Sequence, residues 1–158
     1  MKKFLLALII CSAGALTYAD VDLRENNFSQ PAKGSSEVIT VGWLDHRLKI
    51  TAATEADAEV IYKKSYKFVP GMFYKVSGDV SGRGEIIAKL YFFNQDGTAY
   101  KVAEKSAVVR QKLDEFEARF DLREFTPVNA PYQFKVVIGV KKGGSVVVDD
   151  LELEVDDD

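Results

Sequence analysis

Cysteine, histidine and tryptophan are nearly missing from this chain, with one of each in 158 residues. The cysteine, Cys11, sits in an N-terminal stretch that reads as a leader, so the part that follows has no disulfide and must hold together by its core. One histidine, His46, and no second thiol argue against a zinc centre built from Cys and His ligands. A basic surplus is also lacking. Without Lys2 and Lys3 of the leader, the 21 basic residues fall to 19 against 24 acidic ones, a net charge of −5. Such a balance does not neutralise phosphates, so nucleic acid is not expected as a partner. Nor is an anionic membrane surface.

Long apolar runs are absent too. The longest begins at Phe4 and ends at Ile10, behind Lys2 and Lys3. It is far short of the roughly 20 residues that span a bilayer, so the mature chain is not expected to insert. With Thr17-Tyr18-Ala19 as a small-x-small cleavage pattern, residues 1–19 are expected to be a secretory signal peptide. Cys11 follows the apolar run as lipidation cysteines do, but Ile10 stands where such sites want a small residue. The expected product is an exported protein, periplasmic or extracellular, with residues 20–158 as one domain. At 139 residues such a domain buries roughly 68% of the surface of its unfolded chain.

What is plentiful is alternation. In 115–122 the apolar Phe116, Ala118, Phe120 and Leu122 share one face, and 47–52 alternates likewise. A period of two sets one face on a core and the other in water. Segments 38–44, 60–69, 73–80, 86–93, 134–140 and 146–155 are also strand-like, rich in β-branched and aromatic residues. Pro and Gly clusters at 69–71, 81–84, 94–97 and 142–144 read as turns between them. Segment 54–59 reads as a turn or a single helical turn, and 101–116 as a strand plus a loop. The expected fold is all-β: an antiparallel β-sandwich of about nine strands.

The closing segment, Ser145 to Glu154, carries two adjacent carboxylates, Asp149 and Asp150. Val146 and Val148 have one parity, while Leu151, Leu153 and Val155 have the other. A regular strand would send the two sets to opposite faces, and one extra residue returns them to a single face. A β-bulge at Asp149-Asp150 is therefore expected.

Four blocks of text resemble one family: 69–80 (VPGMFYKVSGDV), 90–97 (LYFFNQDG), 128–134 (VNAPYQF) and 146–153 (VVVDDLEL). In this order they are similar to carbohydrate-binding modules of the galactose-binding-like superfamily, of the type appended to xylanases and cellulases. The resemblance spans nearly all of residues 20–158. It implies an antiparallel jelly roll, non-catalytic sugar binding and commonly a structural calcium; the same fold also serves protein contacts. The family's opening glutamate, which helps hold calcium, is replaced here by Ser29 in Asn26-Asn27-Phe28-Ser29.

The resemblance makes Asp149 and Asp150 the calcium candidates, with Asp22 or Glu25 as further oxygen donors; the alternative is a bulge that is only solvated or hydrogen-bonded. For a sugar, flat aromatic rings and planar polar groups are needed. In 86–93 the core face would be Ile86, Ala88, Leu90 and Phe92, leaving Ile87, Lys89, Tyr91 and Phe93 outside. Tyr91 and Phe93 are thus the candidate platform. Trp43 is a third candidate, weighed against packing in the core beside Val41. Tyr62 and Tyr66 share parity with Val60 and Phe68 and are assigned to the core. No catalytic triad is marked, since Asp45-His46-Arg47 reads as a turn, and the chain is not expected to be an enzyme. The partner implied is a carbohydrate or glycan. The other reading is an envelope protein that docks on the same sheet face.

Overall fold

The computed structural model describes residues 33–41, 45–110, 114–126 and 128–156. The leader with Cys11, the 26–29 opening and Trp43 lie outside the described residues. Nine strands follow one another: β1 (Ser35–Val41), β2 (Asp45–Thr51), β3 (Ala58–Ile61), β4 (Tyr66–Lys67), β5 (Phe73–Phe93), β6 (Ala99–Arg110), β7 (Asp114–Asp121), β8 (Gln133–Val140) and β9 (Ser145–Asp156). Every pairing is antiparallel. The architecture is an all-β sandwich of jelly-roll type. Among the described residues, no helix is long and apolar enough to cross a membrane.

The 21 residues of β5 organise both layers. Its first part, 73–83, lies between β9 and β7, and β2 and β1 extend that layer beyond β9. Its second part, 83–93, lies between β6 and β8, with β3 and β4 paired outside β8. Here the structure departs from the expected turn at 81–84. Gly82 (φ 116°) and Gly84 (φ 135°) bend the strand without reversing it. Glycine supplies the same backbone freedom for a bend as for a turn, so the two cannot be separated by composition.

Segment 60–69 also differs, breaking into β3 and β4 around residues 62–65. Asp45 and His46, expected in a turn, belong to β2. In 101–116 the strand is longer than expected, and the 111–113 part of the expected loop lies outside the described residues.

Between the layers lies one apolar core. β5 contributes Tyr74, Val76, Val80, Ile86, Ala88, Leu90 and Phe92, all on even positions. The rings of Tyr74, from one layer, and Phe134, from the other, meet edge-on at 5.1 Å. Phe68, Phe92 and Phe125 extend this cluster, and Tyr62 and Tyr66 are buried as their parity requires. Tyr74 satisfies its buried hydroxyl locally: it accepts from the Val69 N–H at 2.7 Å and donates to the Val69 carbonyl at 3.0 Å. Each fully buried side chain of this size stabilises the fold by roughly 1.5–3 kcal/mol before ordering costs.

Candidate functional site

The outer face of the β6–β5–β8 layer can be read off its register. One row runs Ala99, Phe93, Gln133, Lys67; the next runs Val102, Tyr91, Lys135. Then come Glu104, Lys89, Val137, Ile61, and after them Ser106, Ile87, Gly139, Glu59. Directly paired residues share a face, so these rows are side-chain neighbours. Tyr91 and Phe93 are both on this face and half-buried, with Val102 exposed beside Tyr91.

Two residues of this outer face, Ile87 and Val137, are fully buried, which alternation alone does not foresee. The neighbouring side chains are long and paired to one another. Lys89 Nζ lies 2.6 Å from Glu59 Oε1 and 3.0 Å from Glu104 Oε2, and its side chain is only 13% exposed. Lys141 continues the chain of charges, 3.2 Å from Glu104 and 3.5 Å from Asp57. Burial by itself would lower the Lys89 pKa, but the bonds to Glu59 and Glu104 outweigh it and the pKa is raised. Glu104 is correspondingly lowered, first by its hydrogen bond from Lys89. The network thus covers the middle of the face with neutralised charge, and leaves the aromatic end apart.

At that end a pocket of about 280 Å³ is lined by Lys67, Phe68, Asn94, Gln95, Ala130, Pro131 and Tyr132. Backbone bonds hold its rim: the Tyr132 N–H donates to the Phe93 carbonyl at 2.9 Å, and the Phe68 N–H donates to the Tyr132 carbonyl at 3.1 Å. The Tyr132 ring is 49% exposed. The pocket continues the row of Phe93, Gln133 and Lys67. Its volume is near the low end of the roughly 300–1,000 Å³ of ligand pockets. Tyr132, Asn94, Gln95, Gln133 and Lys135 are the members that sequence reading missed. Their signal lies in strand register and loop closure, which residue spacing along the chain does not reveal.

The paired aspartates lie in the other layer. The register of β9 against β5 shifts between Ser77 and Asp79, so Asp150 and Leu151 together face one residue of β5. Asp150 has φ 44°, and its N–H donates to Asp149 Oδ1 at 3.0 Å. Val146, Val148, Leu151 and Leu153 are all buried, so the phase change across Asp149-Asp150 is a bulge.

Calcium fits this site poorly. Arg47 Nε lies 2.8 Å from Asp149 Oδ2, so a cation already faces that carboxylate. Asp79 and Glu115 follow Asp149 in register, yet no three acidic or histidine side chains among the described residues converge as an ion would need. Asp22 and Glu25 lie outside the described residues. The expected result is a melting midpoint that does not move when a chelator is added to the mature protein. A fall of several degrees, reversed by calcium, would restore the metal to this corner.

No family model and no curated protein matches the chain in sequence. Solved structures do match in shape. A xylan-binding CBM22-1 domain of Paenibacillus barcinonensis Xyn10C aligns with a TM-score of 0.55 at 11% identity, over 84% of this chain and 87% of that one. The two share a β-sandwich fold. A family 11 module from Clostridium thermocellum, solved with a β-1,3-1,4-mixed-linked tetrasaccharide, aligns with a TM-score of 0.54 at 15% identity, over 82% and 89% of the two chains. The enzymatically active domain of bacteriophage CBA120 tailspike protein 4 aligns with a TM-score of 0.60 at 12% identity, over 82% of this chain. This chain spans only 19% of that tailspike chain. At such identities the likeness concerns the fold.

Proposed function

We propose that this module is an exported, non-catalytic carbohydrate-binding protein whose site is the aromatic end of the β6–β5–β8 face. One observation carries the reading: Tyr91 and Phe93 stand two residues apart on an open sheet face, about 7 Å along the strand. Both rings are partly accessible, and amides of Gln133, Asn94 and Gln95 flank them. Rings of this kind take the apolar faces of pyranoses, and planar amides take hydroxyls. A xylan-binding domain and a module solved with a β-1,3-1,4-mixed-linked tetrasaccharide share this fold and support the ligand class. The polar groups of the Phe93 and Tyr91 rows and of the pocket lining are amides, lysines and the Tyr91 and Tyr132 hydroxyls, a set suited to holding a sugar and without the paired carboxylates of glycoside hydrolysis.

The test is a glycan array with the mature protein, followed by titration of the best binder with Tyr91→Ala and Phe93→Ala. Each variant is expected to bind on the order of tenfold more weakly, about 1.4 kcal/mol. An array blank across plant, microbial and host glycans would replace this reading with the second one, an envelope protein partner. That reading rests on β6, where Tyr100, Val102 and Val108 are exposed on a strand whose pairing among the described residues is with β5 alone.

A further inference from the structure

The charges on the sheet faces are sorted, and the sorting bears on which saccharide is bound. In the rows of Phe93 and Tyr91 the charged members are Lys67 and Lys135, and both rows are free of carboxylates among the described residues. One row further along β5, the charges change character. Lys89 is held between Glu59 and Glu104, and Lys141 between Glu104 and Asp57. Lys135, beside Tyr91, has no ion pair among the described residues. The carboxylates near this end are already engaged: Asp96 accepts from the Thr98 N–H and hydroxyl within its own turn, and Glu124 takes Lys101. The outer face of the opposite layer carries both signs: Glu115, Asp79 and Asp149 in one row, with Arg47 on Asp149, Glu117 and Glu152 in the next, and Arg119, Lys75 and Glu154 in a third. On a chain with more acidic than basic residues, a basic aromatic corner is not a consequence of overall composition.

We infer that the saccharide held here is anionic, a uronate-type chain whose rings lie on Tyr91 and Phe93 while a carboxylate meets Lys135. This rests on the carbohydrate-binding reading above and adds the charge of the ligand to it. Two features make the recognition work. A lysine ammonium in register with an aromatic ring sits at the edge of whatever stacks on that ring. The rows of Tyr91 and Phe93 hold no carboxylate among the described residues, so nothing within them offsets the attraction of that ammonium for an anionic ligand.

The experiment is titration of the mature protein with tetragalacturonate, its fully methyl-esterified form, xylotetraose and dextran sulfate, at 20 and 300 mM salt. Tetragalacturonate is expected to bind at least tenfold more tightly than its ester at low salt, and to lose most of that advantage at high salt. Lys135→Gln is expected to bring the ratio of acid to ester affinity, read within the same variant, close to one. That is a readout which loss of folding would not give. Equal binding of acid and ester would overturn the inference and leave the carbohydrate reading intact. Dextran sulfate binding as tightly as the uronate would overturn the carboxylate assignment. Binding of no saccharide at all would overturn both.

Discussion

Gly82→Ala lowers the stability of the protein by about 3 kcal/mol, measured as a shift of the urea midpoint at unchanged slope. The estimate has two parts. Gly82 has φ 116°, a backbone conformation that an L-residue adopts at a penalty of roughly 1–3 kcal/mol. A Cβ at this position would also stand 2.4 Å from the Ser145 carbonyl oxygen and 3.0 Å from Val146 Cα. Both are main-chain atoms of β9, so no rotamer change relieves the contact. Either β9 moves away, loosening its pairing with β2 and β5, or β5 unbends. Gly97→Ala is the matched control: φ is 81° there, but nothing lies within 4 Å of the added Cβ. It is expected to cost only about 1 kcal/mol, the backbone part alone. Equal losses in the two variants would show that the bend in β5 is tolerant and that its glycines are incidental.

Phe134→Ala is the second large effect, about 4 kcal/mol of lost stability with any remaining fold still able to bind its ligand. Phe134 is 1% exposed and its ring meets those of Tyr66, Tyr74 and Phe92. Truncation removes the transfer energy of the ring and leaves a cavity between two layers that the other rings cannot close, which places the loss in the 3–5 kcal/mol range. The comparison with Tyr91→Ala is instructive. Tyr91 lies on the same sheet but its face is turned outward, so truncation there should change the midpoint by under 1 kcal/mol while weakening binding tenfold. On this expectation the aromatics fall into two sets, one for the core and one for binding. If Phe134→Ala abolished binding in protein still shown to be folded, or if Tyr91→Ala unfolded the chain, the division would be wrong.

The sequence spoke most clearly where period two was clean. The core face of 115–122 follows directly from alternation, because that strand has one wet face, and the core set Ile86, Ala88, Leu90 and Phe92 was legible in the same way. The bulge at Asp149-Asp150 was legible for the same reason: a change of parity in a half-buried strand has few other remedies. Three things were not legible. The bend at 81–84 looked like a turn, since Gly-x-Gly serves both. The burial of Ile87 and Val137 on the outer face depends on long charged side chains of other strands lying across them. The pocket beside Phe93 needs Tyr132 brought back from 39 residues away by its bond to the Phe93 carbonyl. Of the three aromatics proposed from sequence for the site, Tyr91 and Phe93 stand together and Trp43 lies outside the described residues.

The single strand that runs through both layers has a mechanical meaning. In a sandwich whose sheets touch only through side chains, one sheet can slide over the other by exchanging one set of apolar contacts for another. Here the main chain passes from one sheet to the other at Gly82–Gly84, and β9 and β8 grip it on either side of that crossing. Sliding would have to strip backbone ladders as well as repack rings. The layers are therefore expected to move as one body, with the outer face that carries Tyr91 and Phe93 anchored through backbone ladders as well as side-chain packing.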